Sequence, residues 1–197
     1  ETSTNTRARG SQILKGQHIS SQNTQIMEKK VLREVVKYLK LDKVKIDSDK
    51  DTVAVEAKGK RTSGFVCGTL ALVRTFGPHL EGTTHLERTL THSWLTYFST
   101  RLFHCASLEA LGSCLHHVNK ELENRAFLCG FSLTIADVVL FLTLHPFVAT
   151  WSFMHKEQYQ NLSRWFKTVQ SDERFSATHS PVQFSRTALY GGSVRVH

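Results

Sequence analysis

The feature that most constrains the fold of this 197-residue chain is the segment GFSLTIADVVLFLTLH at residues 130–145. Thr134 can cap the first turn of a helix, and the Asp137 carboxylate can accept a hydrogen bond from the Thr134 backbone N–H. Leu133 and Val138 occupy the two positions of a hydrophobic staple. The segment therefore predicts a helix that begins after Thr134 and is held by a capping box with Asp in place of Glu.

The composition of this helix indicates that it is buried. The residues after Asp137 are apolar on nearly every side of the helix, which is typical of the central helix of a domain. Because water cannot reach the start of such a helix, its N–H groups must find partners within the protein. We interpret Asp137 as a capping group, since no second titratable partner for catalysis is recognisable nearby. Pro146 is expected to end or kink the helix.

Periodicity divides the chain into four parts. Residues 1–26 are rich in Ser, Thr, Gln and Asn and lack periodicity, which predicts a disordered extension. Residues 27–77 predict a helix, two strands in KVKID and TVAVEA, and a second helix that Gly77 and Pro78 stop. Residues 78–190 predict helices only, and residues 191–197 a flexible tail.

Apolar stripes locate the other helices of the third part. One long helix is predicted over residues 84–103, and a second begins at a Ser107 cap. A further helix is predicted over residues 156–171, with four side chains facing inward: Tyr159, Leu162, Phe166 and Val169.

The net charge of +8 would suit an acidic partner. Aspartates interleave the lysines of residues 37–51, however, and no nucleic-acid-binding motif accompanies the charge, so direct nucleic-acid binding is not expected. Without an apolar run long enough for a membrane span or a signal peptide, we expect a soluble intracellular protein with no membrane partner. A natural start at Met27 is one hypothesis for the N-terminus, and a mitochondrial transit peptide is another. The four cysteines lack CxxC spacing and are expected to be reduced.

The stretch GFSLTIAD resembles the capping-box and staple motif of the glutathione-transferase C-terminal domain. Together with KEQYQNLSRWFKTVQ and FSRTALY, it is most similar to the family of translation elongation factor 1 epsilon, also called aminoacyl-tRNA synthetase complex-interacting multifunctional protein 3. The resemblance covers residues 27–190 in outline. It implies an α+β, glutathione-transferase-like fold, with a reduced thioredoxin-like N-terminal unit (27–77) followed by an all-α bundle (78–190).

The resemblance also implies a function. Members of this family are non-catalytic scaffolds of the multi-aminoacyl-tRNA synthetase complex, which bind glutathione-transferase-like domains of methionyl- and glutamyl-prolyl-tRNA synthetases. The expected partners are therefore these synthetases, with elongation factor 1 subunits as a further candidate. The expected location is the cytoplasm, with the nucleus as a second site, and no cofactor is expected. A tRNA-binding accessory protein is an alternative.

Two pairing surfaces follow from the resemblance. The first surface combines two helices of the family, which correspond to residues 63–76 and 85–103 of this chain. Its candidate contact residues are Arg74, Arg88 and His92. The second lies on the helix in NLSRWF, where Arg164 would stack or hydrogen-bond across the contact. One departure from the family is Ala54, which stands in TVAVEA where members tend to carry a proline, and indicates a diverged N-terminal unit.

An enzyme of the glutathione-transferase type is the main alternative. Such an enzyme needs a hydroxyl or thiol beside the glutathione sulfur, a cis-proline loop and a pair of groups for the γ-glutamyl end. The chain has no counterpart of the first strand and its nucleophile loop, and no proline before Pro78. Ser63, with Thr62, falls at the γ-glutamyl position, although a helix cap explains it equally well. We therefore predict a protein that is not an enzyme.

A zinc site is one interpretation of the histidines and cysteines that lie on, or just before, the helix that begins at Ser107. Cys114 and His117 lie three residues apart, but no second close pair has ligand spacing. We therefore predict that the chain binds no metal. The remaining candidates are interpreted as thiols in the core and imidazoles on the surface: His104, Cys105 and His116.

Overall fold

The computed structural model describes residues 23–49, 52–105 and 107–184. The first helix, α1, is described over residues 23–38, so residues 23–26 of the predicted extension are helical. The pattern did not reveal them because the polar residues before Met27 carry no apolar repeat, although Thr24 is buried. Residues 1–22 of that extension and the predicted tail at residues 191–197 lie outside the described residues.

A three-stranded antiparallel sheet follows α1. Its strands are β1 (Val44–Asp49), β2 (Thr52–Ala57) and β3 (Lys60–Ser63), in the spatial order β1-β2-β3. The sequence predicted β1 and β2. It missed β3 because KRTS has no alternating apolar residues. The helix matched to residues 63–76 begins after Gly64, whose φ of 91° falls in the left-handed region that favours glycine.

Helix α2 (Phe65–Phe76) packs on this sheet. A Cβ at Gly68 would lie 2.8 Å from the Val55 Cγ2 atom, so the missing side chain permits the close approach of helix and strand. The helix ends at Phe76, as predicted from Gly77 and Pro78, and a short 3₁₀ turn (Pro78–Leu80) follows.

The rest of the described chain is helical. Ser107 accepts a hydrogen bond from the Ala110 N–H at 3.1 Å, which confirms the predicted cap. The helix predicted over residues 156–171 is broken at Tyr159, whose φ and ψ of −113° and 58° are not helical, yet its four inward side chains are all buried. The elements are α3 (His85–Thr100), a 3₁₀ turn (Leu102–His104), α4 (Leu108–Glu121), α5 (Ile135–Val148), α6 (Phe153–Gln158), α7 (Gln160–Val169) and α8 (Glu173–Ser176).

Helix α5 is the most buried helix of the described chain, as its composition predicted. Pro146 does not end the helix, because α5 continues to Val148, and a kink at Pro146 stays a prediction. A proline interrupts a helix by removing one N–H donor and crowding the preceding turn. Pro146 lies in the last turn of α5, so only two residues of the helix follow it. In the described part of the chain no helix is both long and apolar enough to cross a membrane.

Side chains of α1 join the N-terminal unit to the helical domain. The Ser99 hydroxyl on α3 donates to Glu28 on α1 at 2.7 Å, and burial raises the pKa of Glu28. At the other end of α1, the Tyr38 hydroxyl donates to Asp172 at 3.3 Å, and its ring packs on Phe175 with centroids 4.7 Å apart. The buried side chains of both parts form one continuous core.

Candidate protein-binding surface

An open groove of about 520 Å³ runs between α2 and α3. Arg74 contributes from the last turn of α2, while Arg88 and His92 stand one turn apart on α3. The structure therefore brings three of the four predicted interface residues together on one face. The complete lining is Leu70, Arg74, Glu81, His85, Arg88, Thr89, His92 and Ser93.

The two arginines of the groove also hold the connection between α2 and α3. Arg74 Nε and Nη2 each lie 2.7 Å from the same Glu81 carboxylate oxygen, and Arg88 Nε donates to the Gly82 carbonyl at 3.1 Å. The Arg74 side chain is still 63% exposed, so this pair adds at most about 1 kcal/mol of stability. His92 is exposed, and its side chain makes no hydrogen bond within the described residues. The groove thus presents positive charge to solvent with only one carboxylate to balance it.

Arg164, the fourth predicted residue, lies on α7 and has partners within the chain. Its Nη2 donates to the carbonyls of Leu122 at 2.5 Å and Arg125 at 3.2 Å, with Glu123 O further away at 3.5 Å. These carbonyls lie at the C-terminal end of α4, where the helix dipole favours a cation. Arg164 therefore caps α4, and removing it is expected to lower stability, in contrast to an interface residue without internal partners.

The exposed side of Arg164 borders a second, larger groove of about 760 Å³. Lys156 and Lys167 add two positive charges, and Glu157 provides the single carboxylate of the lining. Lys156 donates to the Gln183 carbonyl at 2.7 Å, which fixes it at the groove wall. Arg164 and the α2–α3 groove are thus parts of separate surfaces, and an interface role for Arg164 stays a prediction.

The predicted capping residues surround the start of α5. The Asp137 carboxylate accepts hydrogen bonds from the Thr134 N–H at 3.0 Å and the Thr134 hydroxyl at 2.8 Å, and the two residues form a capping box. The same carboxylate also accepts from the Leu128 N–H at 2.9 Å and the Trp165 indole N–H at 2.8 Å. Leu133 and Val138, the staple positions, are half-buried and fully buried.

Burial raises the pKa of Asp137, although the four donors act to lower it. The carboxylate is completely inaccessible to solvent and contacts no second acid, base or nucleophile positioned for catalysis in the described chain. The geometry therefore makes Asp137 a structural acceptor that ties α5 to α7 and to the preceding loop.

The residues that are candidates for catalysis and metal binding do not form one site in the described chain, although Cys105 and Cys114 lie close together. Ser63 ends β3 and is exposed, and Gly64 precedes α2 without a side-chain cap, so the predicted capping role of Ser63 is wrong. Across the described ranges, no group of three or more His, Cys, Asp and Glu side chains is placed to hold a metal ion. His116 and His117 are exposed on α4.

Sequence reasoning missed two features near these sites. Thr84 and Glu87 form a second capping box at the start of α3, and the sequence THLE at residues 84–87 has the spacing typical of that motif. Cys105 and Cys114 bring their sulfur atoms within 3.5 Å of each other, a contact that depends on how the turn before α4 folds back. No residue pattern marked that contact in advance.

Solved structures show the fold of the chain. It superposes on glutathione transferase E6 from Drosophila melanogaster with a TM-score of 0.62 and 14% identity, covering 77% of this chain and 86% of that one. A glutathione S-transferase from Pichia kudriavzevii gives a TM-score of 0.60 at 20% identity, covering 75% and 88%. The fold and the buried capping box of α5 therefore define a glutathione-transferase-like protein, which confirms the predicted fold class.

Sequence comparisons narrow this class. A family model described as nuclear-export cofactor Arc1p matches residues 87–173. Eukaryotic translation elongation factor 1 epsilon-1 is 35% identical over 115 residues in Cricetulus griseus and 32% in Homo sapiens, covering 58% of this chain and 66% of each relative. The bifunctional glutamate/proline–tRNA ligase of Cricetulus griseus is 33% identical over 97 residues, or 49% of this chain and 6% of the ligase.

The chain is similar to the glutathione-transferase-like family of elongation factor 1 epsilon. It spans slightly less than two thirds of the length of the relatives named elongation factor 1 epsilon-1. Its similarity over 97 residues to a small part of a tRNA ligase shows that a related segment also occurs in a much longer protein.

Proposed function

We propose that the chain is a non-catalytic scaffold of the translation apparatus, which binds glutathione-transferase-like domains of aminoacyl-tRNA synthetases through its α2–α3 groove. The observation that carries this proposal is the similarity of this chain both to elongation factor 1 epsilon-1 and to segments of tRNA ligases. Both groups of relatives bear names from protein synthesis. In the ligases the unit occupies 6 to 15% of the chain, as expected for an accessory domain.

The geometry of the α2–α3 groove supports protein binding. It is an open groove on two helices, and its lining includes the guanidinium groups of Arg74 and Arg88 and the imidazole of His92. Arginine is enriched at protein interfaces because its planar group is weakly hydrated and can form two parallel hydrogen bonds. The groove therefore fits a partner surface that carries carboxylates on a helical face.

The proposed partners are the glutathione-transferase-like domains of methionyl- and glutamyl-prolyl-tRNA synthetases, with elongation factor 1 subunits as further candidates. The proposed location is the cytoplasm, with the nucleus as a second site, and the proposed activity requires no cofactor. A partner of the same fold would pack helix against helix across the groove, and its carboxylates would pair with Arg88.

Binding of the full chain to the two purified synthetase domains from the same organism tests the proposal. We expect Arg88→Glu and His92→Glu each to weaken the affinity at least about tenfold, because each places a carboxylate against the acidic partner face. Lys43→Glu is the matched control, since Lys43 is exposed on the α1–β1 connection and does not line the groove. Calorimetry can measure affinity, and thermal unfolding can show that each variant is folded.

Two outcomes would overturn the proposal. Equal loss of affinity in Lys43→Glu would mean that general charge, and not the groove, drives binding. Absence of binding to both domains at micromolar concentrations would exclude them as partners. Retention on immobilised glutathione together with conjugation of a chromogenic electrophile would instead favour the enzymatic alternative.

A further inference from the structure

Two cysteine thiols meet at the connection between α3 and α4. Cys105 follows the 3₁₀ turn Leu102–His104, and Cys114 lies in the second turn of α4. Their sulfur atoms are 3.5 Å apart and share a hydrogen bond, while the Cys105 thiol also reaches the Arg101 carbonyl at 3.5 Å. This contact brings together two nucleophilic groups that the proposed scaffold function does not use.

The two thiols differ in accessibility. Cys114 is buried, whereas Cys105 is half-buried and lines a mainly apolar cavity of about 350 Å³. The other two cysteines make no thiol–thiol contact: Cys67 is exposed on α2, and Cys129 is buried against the hydroxyl of Thr91. A reagent from solvent would therefore meet Cys105 first and find Cys114 directly behind it.

The positions of the sulfurs are compatible with a disulfide. An S–S bond is about 2.05 Å long, so the two sulfur atoms must approach each other by roughly 1.5 Å. Cys105 lies outside regular helix, with φ −64° and ψ 100°, so rotation of its side chain is not restricted by a helical turn. Cys114 stays fixed in α4 as the second partner.

We propose that Cys105 and Cys114 form a dithiol site that a small disulfide, such as glutathione disulfide, converts to an intramolecular disulfide. The Cys105 thiol loses its proton, and its thiolate attacks one sulfur of glutathione disulfide and breaks that S–S bond. One glutathione leaves and takes up the proton. Cys114, after losing its own proton, attacks the Cys105 sulfur and displaces the second glutathione, which is protonated in turn. Two protein thiols are oxidised, and one glutathione disulfide is reduced to two glutathione molecules.

The surroundings of the site make this exchange slow near neutral pH. Burial and the hydrogen bond with Cys114 raise the pKa of Cys105 to about 12, and burial raises the pKa of the neighbouring Tyr97. Two basic residues lie beside Tyr97: the Arg101 charge acts on its hydroxyl, and the His117 ring lies 5.1 Å from its ring. Because only the thiolate attacks, the initial rate should rise about tenfold for each pH unit well below that pKa.

Oxidation of the reduced full-length chain by glutathione disulfide tests the proposal, with acid quenching and peptide mass spectrometry as the readout. We expect a cross-linked pair of peptides containing Cys105 and Cys114, with the mass of two lost hydrogens. Cys114→Ser should retain a glutathione adduct on Cys105, because no second thiol displaces it. Cys67→Ser, the control, should form the same cross-link as the unaltered chain.

Phenylarsine oxide provides a second measurement that does not depend on the exchange rate. Its arsenic binds two adjacent thiols, so the unaltered chain and Cys67→Ser should each retain it, and Cys105→Ser should not. A stable glutathione adduct on Cys105 in the unaltered chain would overturn the proposal. Cross-links through Cys67 or Cys129, or equal arsenic binding by Cys105→Ser, would overturn it as well.

Discussion

Two helices of this protein begin with the same motif in opposite environments. Thr84 and Glu87 form a capping box at the start of α3, and Thr134 and Asp137 form one at the start of α5. Thr84 is exposed at the surface, whereas Thr134 and Asp137 have no accessible surface at all. Comparison of the two sites shows how the surroundings of a capping box determine its contribution to the stability of the protein.

The acidic groups of the two boxes bind similar donors but respond differently to protonation. Glu87 accepts from the Thr83 hydroxyl and N–H and from the Thr84 N–H, at 2.7, 2.7 and 3.1 Å. These bonds, that from the Thr83 hydroxyl foremost, lower the pKa of Glu87. Burial outweighs the donors at Asp137 and raises its pKa. The same hydrogen-bond pattern therefore stabilises a charge at the surface and only partly compensates for one in the core.

The two boxes also differ in what they connect. Glu87 accepts hydrogen bonds from the neighbouring Thr83 and Thr84 and one longer hydrogen bond, at 3.4 Å, from the Ser132 hydroxyl. Asp137 links three separated segments, because its partners include Leu128 in the preceding loop and Trp165 on α7. The exposed box fixes a helix end, and the buried box fixes the arrangement of the domain.

The largest effect is expected from Asp137→Ala. It removes the acceptor of four hydrogen bonds and leaves buried N–H groups of Leu128, Thr134 and Trp165 without a partner. Each unsatisfied buried donor is costly, so we expect a loss of about 3 to 5 kcal/mol in the free energy of unfolding. Urea unfolding followed by circular dichroism measures it.

Trp165→Phe provides a milder form of the same test if Asp137→Ala does not fold. It removes one donor to the carboxylate and should cost about 1 to 3 kcal/mol, including lost packing. If both variants lose less than about 1 kcal/mol in the free energy of unfolding, the buried capping box stabilises the protein no more than the exposed one does, and the proposed difference between them is wrong.

The next effect compares the two threonines. Thr134→Ala should cost about 1 to 2 kcal/mol, because a buried hydroxyl that bonds Asp137 is lost, and Thr84→Ala about 0.5 to 1 kcal/mol, because water can replace the exposed hydroxyl. The measurement is again urea unfolding of matched variants. Equal losses would show that exposure does not affect the contribution of the cap.

Local pattern predicted the buried box and missed the exposed one. LTIAD precedes an unbroken apolar run, so the cap marked an obvious boundary. THLE has the same spacing, but no unbroken apolar run follows it, and Leu86 within it is 68% exposed. The strands β1 and β2 and the end of α2 were also predicted, because their signals are local.

Features that depend on distant segments were not predictable. Arg164 caps α4 through carbonyls about 40 residues earlier in the chain, and no pattern within NLSRWF shows that contact. The spacing of Arg88 and His92 places them one turn apart on α3, whereas the position of Arg74 beside them depends on the packing of α2 against α3 and was implied only by the resemblance to the family. The polar strand β3 likewise depends on pairing with β2 more than on its own residues.

The smallest effect is the pH dependence, which should have opposite signs at the two boxes. The pKa of Glu87 is lower in the folded than in the unfolded protein, so its contribution is present above its ordinary value of 4.5 and is lost as the pH falls through the folded pKa. The pKa of Asp137 is higher than its ordinary value of 3.8, so its contribution is present at acidic pH and is lost as the pH rises through the folded pKa.

Carboxyl carbon chemical shifts measured by NMR between about pH 2 and 7 test this directly. We expect a midpoint below 4.5 for Glu87 and above 3.8 for Asp137. Glu87→Gln is the matched variant, since glutamine preserves the capping geometry without a titrating group. Its stability relative to the unaltered chain should be lowest near neutral pH, and the difference should shrink as the pH falls. A difference that grows in acid would mean that hydrogen bonding at the surface does not hold the charge of Glu87, and that both carboxylates are governed by desolvation.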